Sequence, residues 1–346
     1  MEFVDLSARG VATIPIFLYK HAHEIRSLNL SKNRPFDLPT DFIQGCTALR
    51  ELVLSNMGIK RLPQSLRECS SLTRLDISNN NIVELEHIAL NELVSLASLK
   101  CHNNRLATVP EYFRDFRALK YLNLSNNRFD KVPPVVSEIE PLLDLDFSFN
   151  TVTVVPPEIG KLENLERLNL LANLITTLPP TLGSLVSLRE LDVRRNVISD
   201  FAPLTSIPSL EVLRCEHNQA STLDATWANL RILTAKQNSL TRFALTGTSS
   251  TLTSLNLSHG KLSTLSPDMF SHLGSVETLV LDSNTLRVLP DAIGALSNLV
   301  TLSVKNNLLA ALPDSLGRLQ RLQSLQVLSL IHISEPTRLL SLSYAV

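Results

Sequence analysis

Eight histidines, four cysteines and 33 acidic residues are spread over this 346-residue chain, and only certain spacings of such residues do chemistry. A phosphate cradle needs a glycine-rich loop ahead of a helix, a zinc protease pairs histidines as HExxH, and an acyl-transfer nucleophile sits on a GxSxG turn. None of these patterns occurs, nor does a CxxC pair. His102, His217 and His259 stand apart, at or just after short apolar segments, and read as solvent-facing side chains. The nearest thing to a carboxylate pair is the set Asp144, Asp146, Glu190 and Asp192, expected on neighbouring strands. No nucleophile, metal ligand or phosphate loop accompanies it. The chain therefore reads as non-catalytic, with no cofactor and no metal.

What positions these residues is a repeat. The stretch Leu119–Pro133, LKYLNLSNNRFDKVP, has close copies every 22 to 24 residues along most of the chain. A fixed period of this length with the pattern Leu-x-x-Leu-x-Leu-x-x-Asn predicts an α/β fold, a leucine-rich-repeat solenoid shaped as a curved horseshoe. The two leucines of x-Leu-x-Leu-x point inward with period two, so the segment is a short strand in a parallel sheet on the concave face. The Asn slot is filled at Asn33, Met57, Asn80, Asn104, Asn127, Asn150, Asn173, Asn196, Asn218, Asn238, Gly260, Asn284 and Asn307, asparagine in eleven of thirteen. Its amide turns the chain out of the strand and satisfies backbone groups, so a ladder of amides is expected. The Leu-Pro that follows stops the strand at Pro39, Pro63, Pro110, Pro133, Pro156, Pro179, Pro290 and Pro313, and segments such as 158–165 return on the convex face as short helices or 3₁₀ turns.

The chain is read as a partial N-terminal repeat at 1–24, a repeat array at 25–327 and a non-repeat tail at 328–346. Between Asp200 and Leu252 the Leu-Pro element is missing and the spacing contracts to 22, 20 and 22 residues, which leaves less room for a convex helix. The tail, LSLIHISEPTRLLSLSYAV, has no repeat logic and resembles the translation of a sequencing adapter, so it reads as a sequence artefact. No polar capping repeat is found at either end, and the chain reads as a fragment of a longer protein.

A formal net charge of −1 gives no bulk attraction to nucleic acid or to an acidic membrane. No run approaches the roughly 18 apolar residues that span a bilayer, and no signal peptide is evident. Cys101 and Cys215 fill leucine slots as small hydrophobes, while Cys46 and Cys69, one repeat apart, read as a reduced pair. Asn29, Asn123 and Asn256 form Asn-Leu-Ser sequons simply because the repeat is spelled that way. These readings place the chain in the cytoplasm.

The outward positions of the concave strands remain. Lys100, Tyr121, Asp146, Phe149, Arg167, Asp192, Arg194, Arg195, Arg214 and Lys236 combine exposed aromatics with charge, the composition of an interface hot spot, and mark the expected protein-binding surface.

Several stretches go beyond the generic repeat. ATIPIFLYKHAHEIRSLNLSKN (12–33), DLPTDFIQGCTALRELVLSN (37–56) and LNELVSLASLKCHNNRL (90–106) resemble the leucine-rich-repeat region of fungal adenylate cyclases. The LYKHA and DFIQGC strings lie on convex segments that the repeat does not dictate. The resemblance covers about residues 3 to 327, and it implies a multidomain parent that makes cyclic AMP in a catalytic domain absent from this chain. It further implies a Ras-like small GTPase in its GTP form as partner, and so a peripheral place at the inner face of the plasma membrane. An acidic effector surface of that kind would be met by Lys100, Arg167, Arg194, Arg195, Arg214 and Lys236. The alternative is a free-standing intracellular repeat scaffold of the Ras-binding type.

Overall fold

The computed structural model describes residues 2–36, 38–245 and 251–327; the tail reading at 328–346 lies outside them. The chain divides into two compact units, 1–173 and 174–346, built from the same coil. In the first unit the strands are β1 (Phe3–Asp5), β2 (Ser27–Asn29), β3 (Glu51–Val53), β4 (Arg74–Asp76), β5 (Ser98–Lys100), β6 (Tyr121–Asn123), β7 (Asp144–Asp146) and β8 (Arg167–Asn169). They pair in parallel in sequence order, with central residue on central residue, Leu28 on Leu52 and Leu145 on Leu168 for example. The second unit holds β9 (Glu190–Asp192), β10 (Val212–Arg214), β11 (Thr222–Ala225), β12 (Ile232–Thr234), β13 (Arg242–Leu245), β14 (Ser254–Asn256), β15 (Thr278–Val280), β16 (Thr301–Ser303) and β17 (Ser324–Gln326). Here too the ladder is parallel, running β9-β10-β12-β14-β15-β16-β17, while β11 pairs with β13.

Many of the strands are ended by their own side chains. The third strand residue is often Asn or Asp, and its Oδ1 accepts the N–H two residues on: Asn29 from Ser31 at 3.0 Å, Asp76 from Ser78 at 2.9 Å, Asn123 from Ser125 at 2.9 Å and Asn256 from Ser258 at 3.0 Å. Capture of the backbone by a nearby side chain competes with the ladder and starts a turn. The three sequons are thus strand-ending turns. One residue after the serine the chain passes through the left-handed region, and fourteen non-glycine residues among those described have φ between 50° and 59° there.

The asparagine ladder is present in both units. Asn150 shows a full rung: its Nδ2 donates to Phe147 O in its own coil at 3.0 Å and to Leu124 O in the preceding coil at 3.1 Å, while its Oδ1 accepts from Asn127 N–H and Phe129 N–H at 3.1 and 3.2 Å. Backbone groups buried in the turn are satisfied by one amide per coil, at about 1 kcal/mol per bond. Where Met57 fills the slot there is no amide, and its N–H donates instead to Asn80 Oδ1 at 3.0 Å. The eight prolines of this element, five after leucine and three after valine (Pro110, Pro133 and Pro156), all sit immediately ahead of a return helix with φ between −61° and −73°. Among the described residues the returns are eleven 3₁₀ helices and two short α-helices, Ile16–Tyr19 and Thr40–Gly45.

The core is a column of leucines from strands and returns, buried to within 2% along β2 to β8, with the Phe129 and Phe147 rings packed edge to face 5.2 Å apart. The four cysteines are free and buried. Burial pushes the Cys46 thiol up to about 12 and the Cys69 thiol up to about 11.

The irregular region resolves into a different return. After β9 a 3₁₀ helix, Ala202–Ser206, survives, but the next two returns run extended as β11 and β13. An extended return uses fewer residues to cover the same path, which accounts for the contracted spacing. Trp227 closes this region: it is 2% exposed and its Nε1–H donates to Leu204 O at 2.8 Å.

One expectation is corrected. Asp144 and Asp146 do not lie on a strand neighbouring Glu190 and Asp192, because β7 is followed in register by β8, where Asp144 faces Arg167 and Asp146 faces Asn169. The carboxylate set is divided between β7 and β9; Asp144, Glu190 and Asp192 are engaged by arginines and Asp146 by a backbone N–H.

Candidate protein-binding surface

Four outward rows run along the strands of each unit: the first and third strand residues, the residue two beyond the strand, and the left-handed residue after it. In the first unit Lys100 is exposed on β5 and forms no ion pair among the described residues. Tyr121, 44% exposed, opens β6 and stands in register with Ser98 and Asp144. Arg167 donates from Nε to Asp144 Oδ2 at 2.9 Å. Asp146 is half-buried and accepts the Ser148 N–H at 2.8 Å, so it serves the strand-ending turn. His102, half-buried, stands in the row that serine fills in neighbouring coils.

The left-handed row was not foreseen. Asn79, Asn103 and Asn126 fill it in consecutive coils and link side chain to side chain, Asn103 Nδ2 donating to Asn79 Oδ1 at 2.7 Å and Asn126 Nδ2 to Asn103 Oδ1. Asparagine suits this backbone because its short polar side chain tolerates the left-handed region. The next coil has Phe149, a bulky ring held at φ 54° and left 51% exposed. Its N–H donates to Leu171 O at 2.8 Å, so its neighbours in the following coil are Leu171 and Ala172. A signal was available, since asparagine precedes the Asn slot in coil after coil and phenylalanine interrupts it.

In the second unit the row beyond the strand changes character, from serine to Arg194, Glu216 and Lys236. Arg194 grips Asp192, its Nε 3.0 Å from both carboxylate oxygens, and lies 3.9 Å from Glu216 Oε2. The Asp192 carboxylate, ahead of Glu216, holds the Arg194 guanidinium charged. Arg214 reaches diagonally to Glu190 at 3.6 Å. Arg195 is exposed at φ 53°, Lys236 is half-buried after β12, and neither forms an ion pair among the described residues. His217 and His259 are exposed at left-handed positions. The ten expected residues therefore fall into two groups, Lys100, Tyr121, Asp146, Phe149 and Arg167 in the first unit and Asp192, Arg194, Arg195, Arg214 and Lys236 in the second. Three of the basic ones, Arg167, Arg194 and Arg214, are already neutralised by carboxylates of the sheet itself.

The family model for leucine rich repeats matches residues 23–82, 70–129, 141–198, 229–286 and 250–309. The chain is a leucine-rich-repeat protein. A solved leucine-rich-repeat protein of Leptospira interrogans superposes with a TM-score of 0.73 at 26% identity, covering 94% of this chain and 83% of that one. Among proteins of known name, the repeats are similar to the adenylate cyclase of Podospora anserina, 38% identical over 81% of this chain and 13% of the cyclase. The Neurospora crassa adenylate cyclase is 51% identical over 22% of this chain and 3% of its own length. This leucine-rich-repeat chain thus spans a small part of the cyclases it matches. Among its described residues no helix is long and apolar enough to cross a membrane, and no three His, Cys, Asp or Glu side chains group as metal ligands.

Proposed function

We propose that this chain is the non-enzymatic, protein-binding segment of an adenylate cyclase of the fungal type, and that a Ras-like small GTPase in its GTP form docks on the outward rows of its sheet. The observation that carries a binding role is Phe149. A large apolar ring at a left-handed position, half-exposed, is worse for the fold than the asparagine of sister coils, and such strain is kept where function needs it. The Arg194–Glu216–Lys236 run supports the same reading, replacing serines that end strands elsewhere. Within the basic set, Lys100, Arg195 and Lys236 are the charges open to an acidic partner, while Arg167, Arg194 and Arg214 would have to exchange carboxylates. The cyclase likeness supports the parent protein and the cytoplasmic, membrane-peripheral setting that such a partner gives.

The test is a titration of the whole chain with a Ras-like GTPase loaded first with a GTP analogue and then with GDP. Preference for the GTP form, weakened about tenfold or more by the pair Arg195→Glu and Lys236→Glu, is the expected result. Equal binding of the two forms, or none by a demonstrably folded chain, removes the GTPase.

A further inference from the structure

A second surface lies away from those residues, at the entrance to the first four strands. Glu2, Arg26, Arg50 and Thr73 stand one above another on successive coils, because each N–H donates to the carbonyl before it: Arg26 to Glu2, Arg50 to Arg26 and Thr73 to Arg50, all at 2.8 Å. Beside them runs the row Phe3, Ser27, Glu51 and Arg74, paired in register. Small Ser27 and Thr73 between long neighbours leave a groove of about 340 Å³, walled by Phe3, Arg26, Arg50 and Arg74.

The charges in this groove are unequally satisfied. Arg26 is paired with Glu2 at 3.2 Å and Arg74 with Glu51 at 3.1 Å, and Glu51 also accepts the Ser27 hydroxyl at 2.9 Å. Arg50 stacks between Arg26 and Thr73 and has no ion pair or side-chain hydrogen bond among the described residues. Phe3 is 76% exposed at the same wall. A guanidinium fork left without an acceptor fits a planar carboxylate bidentately. Glu2 and Glu51 keep the net charge of the groove low, which favours a monoanionic carboxylate over a dianionic phosphate.

We propose that this groove binds an extended acidic segment of a partner protein, with one aspartate or glutamate forked by Arg50 and an adjacent apolar side chain against Phe3. It goes beyond the GTPase reading and shares none of its residues. The test is fluorescence anisotropy of the whole chain with a fluorescein-labelled peptide of alternating glutamate and leucine, alongside its glutamine and phosphoserine counterparts. The glutamate peptide should bind saturably, and its affinity should fall about tenfold both in the glutamine peptide and in Arg50→Gln, with Arg50→Lys between. Phe3→Ser should weaken it several-fold, and Lys236→Glu should leave it unchanged, which separates this site from the GTPase surface. Arg50 and Phe3 are exposed, so these variants keep the fold, and circular dichroism checks that they do. Absent binding, equal binding of the glutamine peptide, indifference to Arg50→Gln, or tighter binding of the phosphoserine peptide overturns the proposal.

Discussion

The side chains of one coil divide into those that hold the coil and those that spoil it for another purpose. Asn150 belongs to the first kind. Its replacement by alanine strands the Asn127 and Phe129 N–H groups in a buried turn and leaves the Leu124 and Phe147 carbonyls to Asn127 and Asn173, and should destabilise the chain by about 2–4 kcal/mol in urea unfolding. Phe149 is of the second kind. Phe149→Asn removes a bulky ring from the left-handed region and can extend the Asn79–Asn103–Asn126 chain, so stability should rise by about 0.5–1 kcal/mol while partner affinity falls. Equal affinity in that variant would remove the argument from strain. The cysteines offer a third check. A thiol raised to about 12, as at Cys46, is thiolate at pH 8 in only about one molecule in ten thousand, so iodoacetamide should leave the buried thiols unlabelled by mass spectrometry until the chain is unfolded.

Returns are where coils are kept at their spacing, and two glycines and a tryptophan show how. A Cβ on Gly294 would meet the Ser315 carbonyl oxygen and Cβ at 2.7 Å, whereas one on Gly183 would meet mainly the Ser206 side chain, Oγ at 2.5 Å. Side chains rotate and backbone does not, so Gly294→Ala should cost about 1–3 kcal/mol and Gly183→Ala distinctly less, by urea unfolding of each. Trp227 ties the extended return of β11 to the 3₁₀ helix of the coil before. Trp227→Phe keeps most of the packing but leaves the Leu204 carbonyl only the 3.3 Å bond from Ile207 N–H, an expected loss of about 1 kcal/mol followed by circular dichroism. Neither the glycine contacts nor the paired β11 and β13 could be read from the sequence, because each depends on what the neighbouring coil presents.

Within each unit, stability is carried coil to coil, since the ladders join each strand to the next. Arg167 occupies in β8 the place of Asp144 in β7, so deleting residues 144–166, one period of 23 (167 − 144), returns every later side chain to its row. That variant should fold cooperatively with a modest loss of stability. Removing 144–155 alone, which unpairs strand from return, should abolish the cooperative transition seen by circular dichroism in urea. Charge follows a similar logic at this scale. A chain of net charge −1 steers partners weakly, so on the proposed reading recognition would fall to those cations that the sheet's own carboxylates do not neutralise.

The sequence by itself determined the coil: the period, the inward leucines, the asparagine rungs and the proline that opens each return. These are local in kind, because the same letters meet the same neighbours in each copy. Tertiary structure decided which side chains stay available. Stacking brings residues more than twenty positions apart into contact, and their pairing is competitive. Asp192 is held by Arg194, so Arg214 reaches diagonally to Glu190, while Arg50, Arg195 and Lys236 form no ion pair among the described residues. It decided the backbone at Phe149 as well, since only the folded turn holds that ring left-handed at the sheet's rim.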